Sequence, residues 1–181
     1  MKRKSLSVTK KTLNFYLTKL KDPQVRKLYS LFSNNLASMD LTNKKIMVGV
    51  SGGADSLAVL FFSQCYALKH HTKLYPVIID HKLRKESTIE AKNLKYKLKQ
   101  NFKINCKILS KKIVKINKNI QSYARDLRYD LFFEECNKQK IDYLILGHHK
   151  DDLIENFFIR FLRGSGLKGL VSFEKKVIVY N

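Results

Sequence analysis

Val48 to Leu60 reads VGVSGGADSLAVL. An apolar run breaks at two adjacent glycines, a single Asp follows among small residues, and apolar character then resumes at helical spacing. This is the pattern of a buried strand, a tight loop and a helix. Working outward, KKIMVGV (44–50) reads as the strand and Ser56 to Leu68 as the helix. LYPVIID (74–80), INCKILS (104–110) and YLILGHH (143–149) read as three more strands, with helices over 88–100, 120–138 and 151–163. Upstream, Val25, Leu28, Tyr29, Phe32 and Leu36 recur at helical spacing and place a helix over about 22–38. Strands that read as continuous apolar runs, alternating with helices, imply βαβ units and a parallel sheet. The expected fold class is α/β, with helices on both faces of the sheet.

A parallel sheet receives ligands at the carboxyl ends of its strands, where SGGADS is expected to lie. Gly52 and Gly53 permit positive φ and close approach of a ligand to the backbone. Their N–H groups, those of Ala54 and Asp55, and the hydroxyls of Ser51 and Ser56 form a candidate anion cradle at a helix N-terminus. Two phosphate-binding patterns do not fit. GxxxxGK[ST] is absent, so the loop has no phosphate-binding lysine, and the SGGADS loop does not read GxGxxG either. A tight strand-to-helix turn capped by Asp55 is the alternative for the two glycines alone.

The chain has 181 residues, enough for one well-buried domain. No apolar run approaches the roughly 20 residues that span a bilayer, so a soluble chain is expected. Cys65, Cys106 and Cys136 are dispersed, which gives neither a zinc nor a disulfide framework and fits a reducing compartment. The net charge is +21, and 29 of the 36 basic residues are lysine. Codon bias toward Lys, Asn and Ile is one source of that excess, but its distribution is uneven. Lys82 to Lys118 holds thirteen basic residues and two acids, whereas Asp126 to Glu155 holds eight of the fifteen acids. A basic face beside an acidic patch points to a polyanion lying against a site that needs carboxylates. Residues 1–21 carry seven basic residues and no acid, and read as a basic N-terminal tail or an organelle-type presequence. Residues 22–181 are then the folded domain.

SGGADS after an apolar strand resembles the signature of the PP-loop ATP pyrophosphatases, which split ATP to AMP and pyrophosphate while adenylating a substrate. Three further stretches follow in order: IIDHKLRKES (78–87), NIQSYARDLRYDLF (119–132) and LGHHKDDLIENFFIRFLRGSGLKGL (146–170). Together they resemble the tRNA(Ile)-lysidine synthetase family over roughly residues 44–170. The resemblance implies a Rossmann-like (adenine nucleotide alpha hydrolase-like) sheet, ATP and Mg²⁺ as cofactors, and a cytoplasmic enzyme with residues 22–181 as its catalytic domain. A plastid or the mitochondrial matrix is the alternative compartment for an organelle-encoded chain. It further implies L-lysine and a tRNA(Ile) with a CAU anticodon as partners. The wobble cytidine is adenylated at its C2 carbonyl, and the lysine ε-amine then displaces AMP. No membrane partner is expected, and a homodimer is left open. Members of the family continue into a C-terminal tRNA-binding region, whereas only eleven residues follow Leu170 here. That region is therefore expected to be missing, which leaves a fragment, a reduced gene product or reliance on a partner protein.

The resemblance carries roles to particular residues. Asp55 becomes the Mg²⁺ ligand or phosphate-side carboxylate. Asp80 and His81 close the second strand, where the family places the nucleotide. His148 becomes a contact to phosphate or the activated base. On a helical wheel of 151–163, Asp152 and Glu155 share one face near the N-terminal end, where simple capping is the bland reading. The functional reading is that they bind the cationic amines of lysine and help the ε-amine lose its proton. Arg125 and Arg128 share a flank of their helix. Pairing with Asp126 and Asp130 on a solvated face stands against charge stabilisation at the α-phosphate, with Arg128 preferred for the latter role. The expected catalytic set is Asp55, Arg128, His148, Asp152 and Glu155. The competing readings are an inactive basic RNA-binding remnant, or another PP-loop tRNA-modifying enzyme such as a thiolase.

Overall fold

The computed structural model describes residues 10–37, 39, 41–111 and 120–147. The expected helix over 151–163, with His148, Asp152 and Glu155, lies outside the described residues. Two N-terminal helices, α1 (Lys10–Lys19) and α2 (Pro23–Ala37), precede an alternating run. That run is β1 (Lys45–Gly49), α3 (Ala54–His70), β2 (Lys73–Ile79), α4 (Ser87–Phe102), β3 (Lys107–Leu109), α5 (Ile120–Gln139) and β4 (Tyr143–Leu146). All strand pairings are parallel, in the order β3-β2-β1-β4. The third strand is shorter than its apolar run predicts. Ile104 and Cys106 are buried ahead of the ladder, packed against the helices rather than paired.

Strand alternation divides the core. Ile46, Val48 and Ile78 point to one face and meet Leu60, Tyr66, Ala91 and Leu98 from α3 and α4. Met47 and Val77 point to the other and meet Phe132 and Cys136 of α5. Both faces are thus covered, which is why β1 and β2 are apolar at successive positions. Among the described residues no helix is long and apolar enough to cross a membrane.

Residues 10–19, expected within the basic tail, instead form part of the fold. Tyr16 is only 1% exposed; its ring lies 5.3 Å from that of Phe61 on α3, and its hydroxyl donates to the Phe102 carbonyl. That carbonyl belongs to the last turn of α4, where no intrahelical partner exists. One apolar residue with one polar end therefore ties α1 to α3 and α4, a contact that charge counting along the chain does not register. Replacing Tyr16 with Ala should cost about 3–5 kcal/mol of unfolding free energy, the range for a buried aromatic. Urea denaturation followed by circular dichroism measures this, and a change below about 0.5 kcal/mol would return the segment to the status of a tail.

Candidate active site

The strand order reverses at β1, because the chain runs outward through β2 and β3 and returns to place β4 on the other side of β1. The loop leaving β1 therefore sits at the topological switch point, the usual crevice for ligands in such sheets. Gly52 takes φ +93°, in the left-handed region, and a Cβ there would stand 3.2 Å from the Leu94 side chain of α4. Gly53 is extended, at φ −70° and ψ 160°, and provides no side-chain cap for α3. Ala54 and Asp55 then stand ahead of the first intrahelical bond, from the Leu57 N–H to the Gly53 carbonyl at 3.1 Å. The positive end of the α3 dipole thus opens on exposed backbone from Ser51 to Asp55.

Ser56 organises this loop from below. It is 5% exposed, and its Oγ accepts the N–H groups of Ser51 (3.3 Å) and Gly52 (3.2 Å) while donating to the Gly53 carbonyl (2.9 Å). The Ser51 hydroxyl also donates to it, at 3.1 Å. Of the groups expected in the anion cradle, the Gly52 and Gly53 N–H groups and the Ser51 and Ser56 hydroxyls all bond inside the loop. A short hydroxyl on the first helical turn can reach back to these amides, which makes it a shaping group.

Gly147, just past β4, was not singled out from the sequence. A Cβ there would lie 2.7 Å from Ser56 Cα, 2.8 Å from Ser56 N and 3.0 Å from the Asp55 carbonyl carbon. All three are backbone atoms, so a side chain at 147 would displace the start of α3. The available signal was a glycine closing an apolar strand, which marks close backbone approach.

At the end of β2, Asp80 is 2% exposed and its carboxylate is enclosed. Oδ1 accepts the Lys82 N–H (3.0 Å) and the Ser87 hydroxyl (2.8 Å), and Oδ2 accepts the Thr88 hydroxyl (2.6 Å). Burial alone would raise its pKa. The hydrogen bonds from Thr88, Ser87 and Lys82, with the Lys82 charge, outweigh burial and hold the pKa below the usual carboxylate value. Asp80 is expected from the sequence to lie where the nucleotide binds, and in the structure its oxygens fasten the β2–α4 loop.

His81 follows. Its Nε2 lies 3.4 Å from an Arg128 guanidinium nitrogen of α5, so Nε2 is the acceptor and the proton sits on Nδ1. That Nδ1 is buried without a hydrogen-bond partner among the described residues. Burial, then the Arg128 charge, lowers the His81 pKa, with Asp80 opposing, so the ring is neutral near pH 7. Arg128 is itself partly buried, and its partner is this neutral ring. Arg125, by contrast, lies 5.5 Å over the Tyr129 ring. A half-buried guanidinium held by a neutral ring at a sheet edge suits an incoming phosphate.

For a divalent cation, Asp55 is an exposed carboxylate in the first turn of α3. No cluster of three ligating side chains occurs among the described residues. One carboxylate fits Mg²⁺, which is commonly held by one or two carboxylates together with substrate phosphates and water.

The α/β order, the glycine loop at the switch point and the uncapped α3 start define a class, and a family comparison agrees. The chain matches the PP-loop domain over residues 20–181 and belongs to that family. Within it, the chain is 44% identical over 130 residues to the tRNA(Ile)-lysidine synthase of Orientia tsutsugamushi (strain Boryong), spanning 72% of this chain and 29% of that relative. It is 37% identical over 150 residues to the tRNA(Ile)-lysidine synthase of Wolbachia sp. subsp. Brugia malayi (strain TRS), spanning 82% and 35%. The chain thus spans about a third of the length of these curated relatives. A solved structure, the U34-tRNA thiolase NcsA from Methanococcus maripaludis with its 4Fe-4S cluster, superposes with a TM-score of 0.63 at 23% identity. It spans 86% of this chain and 52% of that one, and the likeness concerns the fold alone.

Asp80→Asn is expected to cost about 1–3 kcal/mol at pH 7, since enclosed donors lose a charged acceptor. Asp80 has a depressed folded pKa, so its contribution is present above the unfolded value of about 3.9 and is lost as pH falls through the folded value. Urea unfolding from pH 3 to 8 should therefore show the gap between wild type and variant closing at the acid end. A gap constant with pH would contradict this role.

Proposed function

We propose that this chain carries out ATP-dependent ligation of L-lysine to C2 of the wobble cytidine in tRNA(Ile) with a CAU anticodon, releasing AMP and diphosphate. The observation that carries the reading is the outward-facing start of α3 at the switch point, within a sequence 44% identical to a lysidine synthase over 130 residues. ATP phosphates lie against the backbone of Ala54 and Asp55 at the positive end of α3. The C2 carbonyl oxygen of cytidine attacks the α-phosphorus, and the bond to diphosphate breaks. Arg128, held by His81, balances the charge gathering on the phosphoryl oxygens. Asp55 would hold Mg²⁺, which would supply charge neutralisation of the leaving diphosphate.

In the second half-reaction the lysine ε-amine attacks C2 and AMP departs. A free ε-amine is about 0.04% neutral at pH 7, so a proton acceptor must stand beside it. Asp152 and Glu155 are assigned that task and the binding of the lysine amines, and His148 a contact to phosphate or base. These assignments rest on the resemblance of HHKDDLIE.

Sulfur transfer is a poorer fit. Cys65, Cys106 and Cys136 are all buried and stand on separate segments of the core. Burial pushes their thiols up to about 12, about 12 and about 11, so none is a ready thiolate.

The test is transfer of labelled lysine to a CAU-anticodon tRNA(Ile) transcript with ATP and Mg²⁺. ATP-dependent incorporation is expected, falling on the order of 10²–10³-fold in Asp55→Ala and in Arg128→Ala, as for loss of a charge-stabilising group. RNA binding without incorporation would favour the inactive remnant.

A further inference from the structure

The outward face of α4 is unlike the other described surfaces. Its inward residues Ala91, Leu94 and Leu98 pack on the core, and Leu94 also lies beside Gly52 of the loop. The opposite stripe carries Ile89, Lys92, Tyr96, Lys99 and Lys103, all exposed, with Tyr96 at 64% and Ile89 at 61%. Lys92 and Lys99 flank Tyr96 at i−4 and i+3, and so stand on either side of its ring along one helix face. Past Glu90 the helix has no acid, and Glu90 is paired with Arg84 at 3.1 Å. Lys92, Tyr96 and Lys99 have no ion-pair or ring partner among the described residues.

Tyr96 leaves most of its side chain in solvent, between two lysines. Cations that repel one another across the same face are unfavourable without a polyanion. We propose that this face of α4 is an RNA-docking platform, on which a base stacks on Tyr96 while Lys92 and Lys99 engage the flanking phosphates. Stacking on an aromatic side chain between phosphate-binding cations is how single-stranded nucleic acid is held without sequence readout. α4 begins in the loop fastened by Asp80 and touches Gly52, so RNA on this face reaches the edge of the sheet that carries the SGGADS loop. The proposal deepens the assigned reaction by giving its RNA substrate a place on this chain, and rests on that reading only for which RNA is bound.

The test is fluorescence anisotropy with labelled tRNA(Ile) transcript and the full 181-residue chain, between 50 and 300 mM salt. These concentrations are about those over which phosphate contacts are resolved. Lys92→Glu/Lys99→Glu should weaken binding at least ~10-fold and flatten the slope of log K against log salt by roughly 1.5, about 0.7–0.9 for each lost phosphate contact. Tyr96→Ala should weaken it ~5–150-fold with the slope unchanged, and Tyr96→Phe should bind as wild type. The positions are exposed, so all three variants should fold. Asp55→Ala should bind as wild type, so that failure of lysine transfer with this pattern intact would count against the ligase reading and leave the platform standing. Binding within twofold of wild type in both the lysine and Tyr96→Ala variants overturns the platform. So does a lysine variant that loses only phosphatidylglycerol vesicles, which would make the face a membrane contact.

Discussion

The approach of Gly147 to the first turn of α3 is the constraint on which the site depends. β4 pairs beside β1 in parallel register, from Ile46 opposite Tyr143 to Gly49 opposite Leu146. The next residue must pass α3 where that helix leaves the glycine loop. A Cβ there would fall inside contact distance of three backbone atoms, and backbone in a close-packed layer has nowhere to move. Sheet, loop and helix start are therefore locked together by an absent side chain. Ser56 completes the lock from the helix side by gathering the amides that lead into the turn.

Charge at this edge is arranged by the same economy. Asp80 spends its carboxylate on the β2–α4 loop. Arg128 leans on a histidine that burial keeps neutral. The guanidinium is thus positioned by a group that does not cancel its charge, whereas an Asp or Glu in the place of His81 would. Asp55, on the exposed helix start, is the acid at the mouth of the loop. A cation and a carboxylate so placed can act on phosphate and on a metal ion.

Much of this was legible in the sequence, for reasons that can be named. Apolar runs separated by helical stretches gave β1, β2, β4 and helices α2 to α5 to within a few residues, because both faces of the sheet are covered. The SGGADS loop was legible because two adjacent glycines at a strand end have few other uses. The membership of α1 was not, because a basic segment whose packing rests chiefly on Tyr16 looks like a tail in any local window. Which loop atoms face outward was also hidden, since a serine hydroxyl can bond a ligand or its own backbone and only the fold decides. The close approach at Gly147 is a long-range fact, set by a residue 91 positions away, whereas the enclosure of Asp80 depends on how the following loop turns back within eight positions.

The most direct measurement is calorimetric titration of ATP with Mg²⁺ into the wild-type chain and into Gly147→Ala, with circular dichroism confirming that helix content is retained. If the α3 start receives the phosphates, wild type binds and the variant, its first turn displaced, binds at least ~10-fold more weakly, a loss of about 1.4 kcal/mol. Equal affinity in a folded Gly147→Ala chain, or no binding by wild type, would contradict the account.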